Sequence, residues 1–90
     1  MTKKILKALE MKINEAYKEK GECLIDLEMK KKIIDKQYDD ILMITFPTDF
    51  DKKWIGEDNV YYTVKEYSED TFRKFHTLED VAKWINKVYY

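Results

Sequence analysis

The side chains with the most chemical potential in this chain are carboxylates crowded among aromatic rings. Residues 39 to 70 hold nine acids (Asp39, Asp40, Asp49, Asp51, Glu57, Asp58, Glu66, Glu69 and Asp70) against three lysines, a local balance of −6. The flanks compensate: residues 1 to 38 sum to +3 and residues 71 to 90 to +2, which leaves the chain at −1. Carboxylates at this density steer a basic partner and repel nucleic acid. Aromatic rings are enriched where proteins touch one another. Asp49, Phe50, Asp51, Trp54, Glu57, Asp58, Tyr61, Glu66, Tyr67, Glu69 and Asp70 are therefore the expected partner-binding residues, on the premise that they converge on one exposed face. The competing account is that Phe50 and Trp54 cover a sheet edge while the acids keep the surface soluble.

No set of residues answers to a catalytic constellation. His76 is the only histidine. A general base needs an orienting partner and a nucleophile in reach, and Thr77, Glu79 and Asp80 beside it are explained as a helix cap and first turn. Cys23 alternates with Ile25 and Leu27 and is expected to be a buried structural thiol. A reactive thiolate would want a helix N-terminus or a cation beside it, whereas Cys23 follows a helix C-terminus. Asp49-Phe-Asp51 opens like a calcium loop, but an EF-hand starting there requires Gly where Trp54 stands and Glu where Val60 stands. Asp39-Asp40 reads as a charged gatekeeper flanking a strand. Lys3-Lys4 and Lys30-Lys-Lys32 could meet phosphate, yet Asp26, Glu28 and Asp35 beside the second run point to a solvated face. Two glycines cannot build a phosphate-cradling loop. No enzyme activity, cofactor or metal is expected.

Composition bounds the rest. Ninety residues make one domain, 1–90, that buries only about 60–65% of its unfolded surface. A hydrophobic share of 44% suffices for one core. One cysteine allows neither an internal disulfide nor a thiolate zinc site, which suits a reducing compartment. Lys7, Glu10 and Lys12 interrupt the N-terminal apolar residues, so no signal peptide is expected, and the longest apolar run, Ile41 to Ile44, is far short of a membrane span. Sixteen lysines beside a single arginine, Arg73, with nine isoleucines and three alanines, point to an AT-rich genome such as a low-GC bacterium or its phage. The expected location is the bacterial cytoplasm. Bidentate recognition of phosphate favours arginine, and here there is almost none.

These residues need elements to hold them. Ile5, Leu9, Ile13, Ala16 and Tyr17 fall on one stripe and predict a helix over Thr2 to Lys20, with Thr2 as N-cap and Gly21 at C′. Glu22 to Lys30 alternates as a half-buried strand, and Ile33 keeps its parity past Lys30. A helix through Ile25, Met29 and Ile33 competes, and Lys30 to Asp39 carries no turn signal. Ile41 to Phe46, apolar on both faces, predicts a central strand covered on each side, ended by Pro47. Thr48 with Asp51 and then Gly56 frame a short helix that sets Phe50 and Trp54 on one face. Val60 to Tyr67 alternates as a strand, and Thr71 to His76 returns with ambiguous parity at Phe72 and Phe75. Thr77-Leu-Glu-Asp80 opens a last helix with Leu78, Val81, Trp84 or Ile85, and Val88 as its stripe. The sum is an α+β fold: an antiparallel sheet of three to four strands with both long helices on one face.

The helix–strands–helix order, closed by the helix that begins at Thr77-Leu-Glu-Asp80, resembles the double-stranded-RNA-binding domain in outline. That resemblance implies recognition of RNA by shape. The family enters its last helix on a basic, glycine-bearing segment, and acids at this position would repel a phosphate backbone. The leading expectation is instead a small non-enzymatic protein-binding module. It would inhibit host nucleic-acid machinery on behalf of a phage or mobile element, similar in style to anti-CRISPR proteins. Its acids would occupy a basic groove while Trp54, Phe50 and Tyr61 anchor the contact. The alternatives are direct nucleic-acid binding through the first helix and Lys30 to Lys32, or a structural dimer through Tyr89-Tyr90 and an exposed strand edge.

Overall fold

Ile5, Leu9 and Ala16 are buried on one helical stripe. They belong to helix α1, Thr2–Asn14, and to the π-wound turn that continues it, Glu15–Glu19, in a computed structural model describing every residue from Met1 to Tyr90. The helix closes on Gly21 at φ 65°, with the Gly21 N–H donating to the Tyr17 carbonyl and the Glu22 N–H to the Ala16 carbonyl. A Cβ would strain that left-handed conformation, so glycine is there for its backbone. At the other end the expectation fails. Met1 holds the N-cap position and Thr2 is the first helical residue, so no side chain caps α1.

Four strands follow as an antiparallel meander in chain order: β1 Leu24–Ile33, β2 Lys36–Thr45, β3 Tyr62–Glu66 and β4 Phe72–Phe75. Helix α2, Asp49–Ile55, and a 3-10 turn, Glu57–Asn59, separate β2 from β3, and helix α3, Leu78–Tyr89, ends the chain. The registers align Ile25, Ile44 and Val64 in one row and Leu27, Leu42 and Glu66 in the next. These rows face the helices. Ile25, Leu42, Ile44 and Val64 share one core with Ile5 and Leu9 of α1 and with Val81, Ala82 and Ile85 of α3. Both long helices thus roof the same face. Thr77 fixes the start of α3 by accepting the Asp80 N–H on Oγ1 at 3.1 Å.

Alternation sends the intervening residues to the second face. There Asp26, Met43, Lys65 and Phe72 form one row and Leu24, Thr45, Thr63 and Lys74 another. The apolar run Ile41 to Phe46 implied cover on both sides. Strand β2 does have a neighbour at each edge, yet Ile41 is exposed and Met43 half-buried, because no helix lies over this face. The parity of β4 also resolves: Phe75 turns inward toward Trp84, with centroids 6.2 Å apart, and Phe72 turns outward.

The β1–β2 hairpin outruns the sheet. β3 pairs with β2 only across Leu42–Thr45, with one further bond from the Tyr67 N–H to the Ile41 carbonyl. Beyond Met29 and Asp40 the hairpin is a two-stranded arm, and the molecule measures 47 × 26 × 25 Å. Its turn is Ile34-Asp35, with Ile34 at φ 58° and 87% exposed. A β-branched residue at positive φ is an outlier. That choice of residue is why no turn signal marked this connection.

Candidate functional site

Helix α2 is short, and its ends are tied down by its own side chains. The Asp51 N–H donates to Thr48 Oγ1 at 3.1 Å, and the Thr48 N–H donates to Asp51 Oδ2 at 3.0 Å. Gly56 closes the other end at φ 99°, and Asn59 Nδ2 donates to the Ile55 carbonyl at 3.1 Å. Between these ends the helix buries nothing. Phe50 is 66% exposed and Trp54 71%, with Ile55 exposed beside them. The two rings lean on each other with centroids 5.7 Å apart, as a four-residue spacing allows. They do not cover a sheet edge. Asp49, Glu57 and Asp58 are exposed around them, while the Asp51 carboxylate is committed to the cap.

Tyr61 stands at the same end of the sheet, just before β3. Its exposed ring packs on His76 at 4.7 Å, and the Lys74 ammonium lies 5.6 Å from its centroid. Such a cation beside a ring is mildly attractive. His76 is thus packed against an exposed ring at this end of the sheet.

The remaining expected residues do not join this group. β3 carries the chain about 15 Å away at roughly 3.3 Å per residue, and Glu66, Tyr67, Glu69 and Asp70 lie at its far end. Tyr67 and Asp70 are exposed there, and Glu69 is half-buried. Glu66 shares the parity of Tyr62 and Val64 and is turned under the helices, only 4% exposed. The single acidic face is therefore corrected to two separate groups, with Glu66 in neither.

Glu66 belongs instead to a buried polar cluster. Asp40, 7% exposed, shares the inward parity of Leu42 and Ile44 and so is not a surface gatekeeper, whereas Asp39 is exposed across from Lys30. Tyr89 Oη donates to Glu66 Oε2 at 2.7 Å and lies 3.3 Å from Asp40 Oδ2. Lys31 Nζ donates to Glu66 Oε2 at 3.0 Å. The Ile41 N–H and Ser68 Oγ serve Asp40 at 2.9 and 3.2 Å. Burial, the Glu66 hydrogen bond and the charges of Glu66 and Asp40 hold the Tyr89 phenol well above the ordinary tyrosine range. A phenol that keeps its proton is a donor here. Every buried side-chain nitrogen and oxygen has a partner, and through Tyr89 the cluster ties α3 to the sheet. The inward parity of Asp40 and Glu66 was the available signal for it.

Two further expectations change. Cys23 is exposed, because it lies in the connection ahead of β1. The Lys30-Lys-Lys32 run is split by strand alternation, with Lys31 turned in to Glu66 and its two neighbours turned out. No three His, Cys, Asp or Glu side chains converge as a metal centre requires, and no helix is long and apolar enough to cross a membrane.

The fold and surface together define a small α+β domain, roofed on one face of its sheet and carrying an exposed aromatic helix at one end. Compared with protein-family models, curated proteins and solved structures, the chain matches none.

Proposed function

We propose that this protein is a non-enzymatic binding module that inhibits nucleic-acid-handling machinery by occupying a basic groove, in the manner of anti-CRISPR proteins. The observation that carries the reading is α2, which exposes Phe50, Trp54 and Ile55 together yet buries none of its residues in the chain's own core. Covering each ring on a partner would contribute about 2–3 kcal/mol before the costs of association. Asp49, Glu57 and Asp58 rim those rings and favour a basic partner surface. The contact is narrower than the residue types alone implied. Tyr67, Glu69 and Asp70 stand about 15 Å off, beyond the roughly 8 Å screening length of physiological salt, so they add little to it. The lysine-rich, arginine-poor composition motivates a phage or mobile-element source.

The test compares the parent chain with Phe50→Ala/Trp54→Ala as baits in bacterial lysate at low salt. A protein retained by the parent and lost to the variant supports the reading. Nothing retained, or the same proteins on both baits, defeats it. Salt-sensitive RNA or DNA binding in a gel-shift titration would favour direct nucleic-acid binding instead.

A further inference from the structure

β1 is the first strand of the sheet and has a partner on one side only. The Phe46 N–H donates to the Cys23 carbonyl, and the register continues from there with Leu24 opposite Thr45. In an antiparallel ladder, bonded residues alternate. The odd-numbered residues of β1 therefore bond to β2. The even-numbered ones, Leu24, Asp26, Glu28, Lys30 and Lys32, turn their N–H and C=O groups outward. This edge is ten residues long and contains no proline. Such an edge is a template for another strand unless something blunts it.

The order of charges says which strand. Asp26 and Glu28 precede Lys30 and Lys32 on one face of β1, with Met29 midway. We propose that β1 pairs antiparallel with β1 of a second copy about a two-fold axis through Met29, joining the two sheets into one. In that register Asp26 faces the partner's Lys32 and Glu28 faces the partner's Lys30, and the same pairs recur across the axis. Each of these residues turns its backbone outward, so the ladder closes with about eight backbone hydrogen bonds. Moving the axis one residue sets Glu28 against Glu28 or Lys30 against Lys30 and keeps only two of the four opposite-sign pairs. Moving it two sets Asp26 against Glu28 or Lys30 against Lys32. Opposed like charges are destabilising, so one register is selected.

Other features agree. The chain's two ion pairs, Lys31–Glu66 and Lys83–Glu79, leave all four of these charged residues free. The pairing also brings Ile33 against the partner's Ile25 and Leu24 against the partner's Ile34. Leu24, Ile33 and Ile34 are exposed in the single chain. Met29, at the axis, already lines an apolar groove of about 360 Å³ between α1 and β1. The contact is isologous and closed, so it stops at two copies. It uses no residue of α2 and stands apart from the proposed inhibitor surface.

Sedimentation of two complementary variants tests the pairing. Asp26→Lys/Glu28→Lys leaves only lysine at the four positions, and Lys30→Glu/Lys32→Glu leaves only acid. The parent is expected at twice the chain mass and each variant at the chain mass, with circular dichroism unchanged. An equimolar mixture of the variants is expected to return to twice the chain mass, because every opposed pair is again of opposite sign. A parent that stays monomeric from micromolar to millimolar concentration overturns the proposal. So do variants that dimerise alone, or a mixture that remains monomeric.

Discussion

Replacing Tyr89 with phenylalanine removes one oxygen and leaves the ring in place. The ring's edge contact with Trp84, centroids 6.1 Å apart, should survive. What is lost is the 2.7 Å hydrogen bond to Glu66, a carboxylate only 4% exposed. A hydrogen bond to a charged group contributes about 1.5–3 kcal/mol net, and Lys31 at 3.0 Å keeps Glu66 from being wholly abandoned. The expected cost is therefore about 2 kcal/mol, a large part of the roughly 5–15 kcal/mol that holds a domain folded. In a chain this small it corresponds to a drop of about 8–16 °C in Tm. Urea denaturation followed by circular dichroism should show a lower midpoint at unchanged slope. In a Glu66→Gln background the same substitution should cost at least about 1 kcal/mol less, since the two residues act on each other. A loss under about 0.5 kcal/mol, or no coupling to Glu66, would refute the claim that this hydroxyl anchors α3.

The same phenol makes stability fall in alkali. Tyr89 ionises near its ordinary 10.0 when unfolded and higher when folded, so its contribution is whole below that pH and shrinks above it. This one group can contribute a slope of at most about 1.4 kcal/mol per pH unit, and ionisation of all seven tyrosines near pH 10.0 in the folded protein would contradict it. Ile34→Gly should stabilise the chain by about 1 kcal/mol, the strain of a β-branched residue at positive φ less the freedom glycine gives the unfolded state. A lower Tm for that variant would count against the strain. Phe50→Ala/Trp54→Ala should leave unfolding energies within about 0.5 kcal/mol of the parent, because exposed side chains away from caps and cores rarely matter more. A larger loss would mean that the rings serve the fold.

Elements whose signals are local are legible in the sequence. Ile5 and Leu9, the Thr48–Asp51 box and the alternation of Val60 to Tyr67 each specify their geometry within a few residues. Two kinds of feature were not legible. The arm's turn rests on Ile34, a residue that ordinarily argues against a turn, so composition pointed away from the answer. The fate of the acids depends on partners distant in sequence: Glu66 meets Lys31 and Tyr89, and Asp40 meets Ser68. Charge counting along the chain treats all carboxylates alike. Strand parity separates Asp40 from Asp39 and Glu66 from Tyr67, and it carried more information than the local charge balance.

Every strand of the meander is bonded to its neighbour in sequence, whereas α1 and α3 meet across nearly the whole chain. Closing a short loop costs far less entropy than closing a long one, so hairpins zip early and the union of the two ends comes late. Pulse-labelled hydrogen exchange should accordingly find β2 and β3 amides shielded before those of α1. Until that last docking, Leu42, Ile44 and Val64 face water on a half-built slab, and this interval is when the chain has most need of dilution or a chaperone.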